Sequence, residues 1–431
     1  MPYHISAAEY SLHDLYRLAL ERSETIQIAR EELYISEQKK DKAVSEFLPA
    51  ISAFGNHTRY NEEKRSAISI VQPDYSNSWG IRLDRSVSLG GREINSYRMS
   101  KDGIIKSRYD LDAVKEDYLL SVASAYYNVL KAKKAMDIAD VNVERLAKHR
   151  DAAKIRLKVG EAVKTEVLRA EAELAGAQSD AVRAENSIKL AKATLAKTAG
   201  IIGDYDVKES QESQRHKGTE SEDVKNMTVN CQMLSVDCLR QTALSERAEL
   251  KAFIIENRIA ENGVAYAKGS YLPNISVEGV YSSKEDHPSS VSALRETIYG
   301  GLKIDFPIFE GGLRMAEVRE AKAKLRQTGY RLSDLKNSIS VEVENAYLAL
   351  ITESGVITNL EAQVAYATDN YNAVSKQFEH GLANSVDVMD ANTLLVTAQR
   401  KLSDARFNYQ LALLRLKRAT GTLLKTVSSK E

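Results

Sequence analysis

Self-similarity constrains this chain more than any other feature. Gly80-Ile81-Arg82-Leu83-Asp84 recurs as Gly301-Leu302-Lys303-Ile304-Asp305, a shift of 221 residues. The same shift carries Gly90-Gly91 onto Gly311-Gly312, Tyr109 onto Tyr330, Ala125-Tyr126 onto Ala346-Tyr347, Gly160 onto Gly381, Val167 onto Val388 and Gly200 onto Gly421. Upstream, Leu48-Pro49 matches Leu272-Pro273 at a shift of 224, and Glu21-Arg22 matches Glu246-Arg247 at 225. Turns near the strands tolerate such small gains. A chain that repeats itself is two copies of one structural plan. The reading is a first copy over 1–200, a polar connector over 201–237 that contains Gln211, Ser213, Lys217, Thr219 and Glu220, a second copy over 238–421 and a tail over 422–431.

Each copy opens with an expected helical segment, about 10–46 and 238–270, ended by a Leu-Pro pair. Alternation follows. Ile275, Val277 and Tyr281 share one face of a strand, and Ile298, Leu302, Ile304 and Phe306 share one face of the next, against Thr297, Lys303 and Asp305. In the first copy Trp79, Ile81 and Leu83 oppose Arg82 and Asp84. Period two with one apolar and one charged face is a half-buried strand, and segments of about ten such residues match outer membrane barrel strands as well as soluble hairpins. Four strands cannot close a barrel, for which about eight is the minimum. Open edges are not viable in lipid, so a membrane role requires several chains to pool their strands.

The double glycines Gly90-Gly91 and Gly311-Gly312 permit a sharp strand-to-helix change. After the first pair, a stretch from about Arg92 to Val159 has no proline and little glycine, which predicts a helix of roughly 100 Å. The helix after Gly160, about 162–199, and the opening helix of the copy are each predicted at about 55 Å, so end to end they match the long one. Leu111, Val114, Tyr118, Val122, Ala125, Val129, Ala132, Met136, Ala139, Val143 and Leu146 step by threes and fours, as do Val388, Ala391, Leu395, Ala398, Leu402, Ala405, Tyr409, Ala412, Leu416 and Ala419. These are heptad seams whose alanines let helices approach closely.

Composition removes several function classes. Lys plus Arg and Asp plus Glu are 60 each, so no net field draws the chain to nucleic acid or anionic lipid. No window approaches the ~20 apolar residues of a spanning helix, so any membrane crossing must use strands. Met1-Pro2-Tyr3-His4 lacks the basic and apolar regions of a signal peptide, which fits a cytoplasmic chain or a mature start equally. Cys231 and Cys238, the only cysteines, match no zinc pattern and no disulfide framework, and their distance from the start implies no N-terminal lipid attachment. The seven histidines are scattered without a nucleophile beside them, and no phosphate loop or singular carboxylate pair stands out. The expectation is no enzyme, no cofactor and no metal.

Taken together, these residues resemble the TolC family of outer membrane channel proteins over essentially the whole chain. Phe306-Pro307-Ile308-Phe309-Glu310-Gly311-Gly312 is similar to that family's second-repeat strand exit. Arg156-Leu157-Lys158-Val159-Gly160 and Val386-Asp387-Val388-Met389-Asp390-Ala391 resemble its periplasmic tips. The resemblance implies a mainly α fold with a β-barrel portion: a homotrimer with twelve strands in one shared outer membrane barrel and twelve helical columns around a periplasmic tunnel. A periplasmic adaptor and an inner membrane transporter would open it. It further implies an entrance ring at Asp387 and Asp390, and adaptor-contacting tips at Arg156, Val159, Gly160, Gly381 and Leu382. On alternation, the lipid-facing residues are Trp79, Ile81, Leu83, Ile275, Val277, Ile298, Leu302 and Ile304. Where family members lock the closed tip with an arginine and a tyrosine bridging to an aspartate, this chain has Ala383, Phe378 and Glu166. Closure here must therefore rest on other packing. The competing reading is a soluble periplasmic coiled-coil adaptor or scaffold, which has no use for four duplicated amphipathic strands.

Overall fold

The computed structural model describes residues 8–67, 70–209, 235–288 and 295–428. Strand β1 (Ala8–Tyr10) leads into α1 (Leu12–Arg22) and α2 (Glu24–Ser45). The first hairpin is β2 (Ala50–Arg59) and β5 (Tyr75–Ser88), with β3 (Lys64–Arg65) and β4 (Ile70–Gln72) between them. Helices α3 (Arg92–Lys158) and α4 (Lys164–Ala199) and strand β6 (Tyr205–Val207) complete the first half. The second half repeats the order: α5 (Val236–Glu246), α6 (Ala248–Gly269), β7 (Asn274–His287), β8 (Glu296–Asp305), α7 (Leu313–Glu379) and α8 (Ser385–Ala419). A last helix, α9, spans Leu423–Ser428.

The duplication is visible in the lengths. Both α3 and α7 have 67 residues, and α4 and α8 have 36 and 35. At 1.5 Å per residue the long pair each reach about 100 Å. Among the described residues no helix is long and apolar enough to cross a membrane.

One expectation needs correction. Neither opening segment is a single helix: each is broken at equivalent points, at Ser23 (φ −66°, ψ 124°) and at Arg247 (φ −59°, ψ 123°). Both residues are buried and extended, and each follows or sits in the repeated Glu-Arg pair. Arg247 explains the second break. Its guanidinium is buried between the carboxylates of Glu249 (2.6 Å) and Glu342 (2.5 Å), a satisfaction that a continuous helix, with Arg247 further along its own turn, would not provide.

The chain forms two compact units that cut across the two copies. One contains 1–29, 110–249 and 335–431; the other contains 30–109 and 250–334. In the first unit the main core joins Leu15, Tyr16, Leu119, Val122, Tyr126, Val129, Leu195 and Phe407 with Leu423 and Val427 of α9. Helix α9 is thus part of this core. Strands β1 and β6 pair in parallel, Ala8 opposite Tyr205, and Tyr126 donates its hydroxyl to the Lys208 carbonyl. The described part of the connector therefore docks on the core, while its residues 210–234, with Gln211, Ser213, Lys217, Thr219, Glu220 and Cys231, lie outside the described residues.

No member of either heptad seam is exposed. Two polar residues interrupt that apolar packing: buried Asn392 of α8 donates to Asn142 of α3 at 2.8 Å. Near α9, Arg418 binds Asp117, Glu249 and Glu342 at 2.5–2.6 Å, sharing the last two with Arg247. Two shielded guanidiniums thus meet three carboxylates, of which Asp117 and Glu342 still reach solvent.

The second unit holds a four-stranded antiparallel sheet in the order β2-β5-β7-β8, with β2 and β8 as its edges. In the same unit helices α2, α3 and α6 are joined to one another through Ser36–Ser107 (2.7 Å) and the Arg258–Asp102 ion pair. At the β5 exit Gly90 approaches Gly269 so closely that a Cβ on Gly90 would lie 2.1 Å from the Gly269 carbonyl oxygen. At the β8 exit Gly311 and Gly312 adopt φ of 60° and 88°, which only glycine enters without strain.

Candidate functional site

The turns that join α3 to α4 and α7 to α8 both belong to the first unit. Each reverses through a left-handed glycine, Gly160 (φ 83°) and Gly381 (φ 75°). Val159 and Leu382 project from them, 65% and 80% exposed. Both are large aliphatic side chains at the summit of a turn, where no described residue covers them.

Below this summit the two helix pairs are fastened together. Phe378 is buried among Ala153, Val167 and Val388. The His149 ring packs 4.6 Å from the Phe378 ring, and His149 Nε2 lies 2.9 Å from Ser385 Oγ. Burial pushes the His149 pKa down to about 4, so the imidazole is neutral here. His149, Ala153 and Arg156 stand four and three residues apart, one stripe of α3. Arg156, one of the expected adaptor-contacting residues, covers the Phe378 ring with its guanidinium and donates to the Phe378 and Glu161 carbonyls.

The lock positions are resolved by the same geometry. Ala383 and Phe378 join this apolar cluster, and Glu166 Oε2 is buried without a hydrogen-bond partner among the described residues. Here the Phe378 ring is packed against a neutral imidazole and covered by a guanidinium. His149 and Ser385 were missed in the sequence because a histidine on a helix has no local signal that its partner lies 236 residues away.

Asp387 and Asp390 both stand exposed on the first turns of α8. Asp387 is also the third helical residue of a capping box: Asn384 Oδ1 accepts from the Asp387 amide at 3.1 Å, and the Asp387 carboxylate accepts from the Asn384 amide at 3.1 Å. The Asn-x-x-Asp spacing carried that signal. Asp387 thus combines a structural role with an exposed charge, whereas Asp390 has the charge alone.

The sheet of the second unit gathers the eight expected lipid-facing residues on one face. Ile81 stands opposite Tyr281, Leu83 opposite Gly279, and Ile275, Val277 and Tyr281 opposite Ile304, Leu302 and Ile298. Trp79 meets Tyr281 edge to face at 5.8 Å. The other face is charged: Arg82 pairs with Glu278 at 3.3 Å, and Tyr299 donates to Glu278. From Ile275 to Tyr281 the apolar face runs about 20 Å, close to the ~25 Å apolar band of outer membrane barrels.

The model of the family described as outer membrane efflux protein matches residues 15–201 and 239–422, nearly all of both copies. The chain belongs to the outer membrane efflux protein family. This family member is 24% identical to the outer membrane protein TolC of Vibrio cholerae over 363 residues, which is 83% of this chain and 76% of that protein. Its fold is that of CusC, with a TM-score of 0.83 at 17% identity over 96% of this chain and 93% of the other. The Campylobacter jejuni CmeC outer membrane channel superposes with a TM-score of 0.79 at 16% identity, over 97% and 89% of the two chains. The efflux protein is therefore an outer membrane channel with its helical tunnel in the periplasm, and the scaffold reading falls away. Its family members are channels rather than enzymes. Among the described residues no group of three or more His, Cys, Asp or Glu side chains is placed to hold a metal.

Proposed function

We propose that three copies of this chain assemble into one exit duct, twelve strands closing a barrel in the outer membrane and the helices enclosing a tunnel. The supporting observation is the sheet: four strands, an apolar face, a charged face and two edges that no other described strand pairs. In lipid each unpaired amide or carbonyl costs several kcal/mol, so the edges must find partners, and other copies supply them without any further component.

The tunnel ends at the turns of α3–α4 and α7–α8. There the exposed Val159 and Leu382 beside Gly160 and Gly381 suit the apolar tips of a periplasmic adaptor, with an inner membrane transporter beyond it. Asp387 and Asp390 of three copies would put six carboxylates around the entrance, repelling one another and attracting cations. The channel is a passive conduit for efflux or type I secretion, opened by its partners.

Mass measurement of the detergent-extracted protein, followed by single-channel recording in a bilayer, tests this reading. A trimeric mass and a discrete conductance support it. A monomer that stays monodisperse without detergent overturns it.

A further inference from the structure

We infer that the groove between α3 and α8 is a binding site for a small organic anion, a carboxylate or sulfonate on an apolar body, with Arg145 as the residue that takes the charge. Every described residue that lines it belongs to the first unit of a single chain, so the inference stands apart from the number of copies that assemble.

The groove has a volume of about 460 Å³. On α3 it is walled by Ile138, Val141 and Arg145, three and four residues apart on one stripe of the helix. Leu402 and Phe407 of α8 supply the other wall, with Gln399 near Arg145. The two helices run antiparallel: Lys131 pairs with Asp404 at 3.2 Å, and further along His149 meets Ser385 at 2.9 Å. From Lys134 to Arg145 the lining stretch of α3 is about 16 Å long. Arg145 therefore stands at one end of an apolar trough, with Lys134 and Asp137 at the other.

One charge in the groove is left unmet. Lys134 lies 3.5 Å from Asp137, and Arg406 lies 2.8 Å from Glu361. Arg145 has no carboxylate partner among the described residues. Its Nη2 reaches Gln399 Oε1 only at 3.5 Å, its guanidinium lies 5.7 Å from the centre of the Tyr371 ring, and its Nη1 is buried without a hydrogen-bond partner. Burial pulls its pKa below the ordinary arginine value, yet a guanidinium keeps its proton in a protein. The two acids on the groove, Asp137 and Glu209, are exposed and therefore screened by water and salt, whereas Arg145 is partly shielded. A buried charged donor without a partner is costly, and an arriving carboxylate or sulfonate removes that cost through the fork of Nη1 and Nη2.

The duplication shows that the architecture does not need this cation. At the shift of 221 residues the equivalents of Lys134 and Arg145 are Gly355 and Tyr366, and the equivalent of Arg406 is Glu185. The same helix plan is built twice, and only one of its versions carries the charges. Size then selects the occupant. A volume of about 460 Å³ falls in the range of small-molecule sites. A helix about 10 Å across lying along 16 Å would fill roughly 1,300 Å³, so a helical segment of a partner protein does not fit. Ile138, Val141, Leu402 and Phe407 are left to cover the apolar body of the ligand. Since α3 and α8 belong to different helix pairs, a bound anion ties the two pairs together along the seam that Asn142 and Asn392 also cross.

Calorimetric titration of the full protein in lipid nanodiscs, with the heat of empty nanodiscs subtracted, tests the site. Phenylbutyrate is the probe and phenylbutanol its neutral counterpart. The native chain is expected to bind the acid at least about tenfold more tightly than the alcohol. Arg145→Met should erase that preference, and Arg145→Lys should keep part of it, because an ammonium holds the charge without the fork. Val141→Trp fills the groove without touching the cation and should abolish binding of both compounds. No binding by the native chain, equal binding of acid and alcohol, or unchanged binding in Val141→Trp overturns the inference. Should Arg145→Met fail to assemble, Val141→Trp decides, since Val141 is 45% exposed and a larger side chain there can extend into the groove without disturbing the core.

Discussion

Arg156 lays its guanidinium 4.7 Å over the ring of Phe378 and donates from Nη1 to the carbonyl oxygen of the same residue at 3.1 Å. One side chain of α3 thereby holds both the side chain and the last-turn backbone of α7, where a cation also complements the helix C-terminus. Replacing Arg156 with Ala is expected to cost about 2 kcal/mol locally, the loss of a charge-assisted hydrogen bond with its ring contact. Hydrogen exchange over residues 376–385 should rise accordingly, and Arg156→Lys should recover only part of the protection because an ammonium cannot stack and bond at once.

His149 makes the same region sensitive to acid. Its folded pKa lies at about 4 against an ordinary 6.5, because burial disfavours the charged ring. The neutral form is the one that fits, so the contribution is complete above about pH 6.5 and is lost as pH falls toward 4. The full span corresponds to about 3 kcal/mol. The thermal midpoint should drop more steeply between pH 6.5 and 4 in the native chain than in His149→Gln, and an identical slope would remove His149 from the account.

Glu116 works in the opposite direction. Burial raises its carboxyl to about 7, opposed by the Leu424 amide that donates to it at 3.4 Å and by Arg418 and Arg247. A raised carboxyl stabilises fully below about pH 4.5 and loses that contribution as pH climbs through 7. Exchange in α9 is expected to accelerate above pH 7 in the native chain, and Glu116→Gln should flatten the dependence.

Asn142 and Asn392 face each other inside an apolar seam. Asn392→Leu leaves Asn142 buried without its donor, an expected loss of about 1–3 kcal/mol in chemical unfolding. Converting both to Leu should recover most of it while weakening helix register, because a buried polar pair specifies alignment more than it adds stability.

Asp387 and Asp390 can be separated by chemistry. Asp387→Ala removes the reciprocal cap of α8 and should cost about 1 kcal/mol, whereas Asp390→Ala should be close to neutral in stability. Asp387→Asn with Asp390→Asn keeps an acceptor at the cap and removes the charge. Divalent-cation block of the conductance should weaken in that double variant; unchanged block would place the carboxylates away from the entrance.

Periodic features were legible in the one-dimensional chain because each is written in neighbouring residues. Alternation from Trp79 to Leu83 and from Ile275 to Tyr281, the heptad seams, the double glycines and the 221-residue shift all repeat at spacings that a strand or helix imposes on its own side chains. They specified two copies, four two-faced strands and two long helices, and the resemblance they carried named the family. Contacts between distant segments were not legible. The breaks at Ser23 and Arg247, the packing of Arg156 over Phe378 and the pairing of His149 with Ser385 depend on which surfaces meet after the chain folds back over more than 200 residues. A helix codes its own period locally, but a buried charge or imidazole finds its partner only in the packed unit, and there the tertiary structure decided.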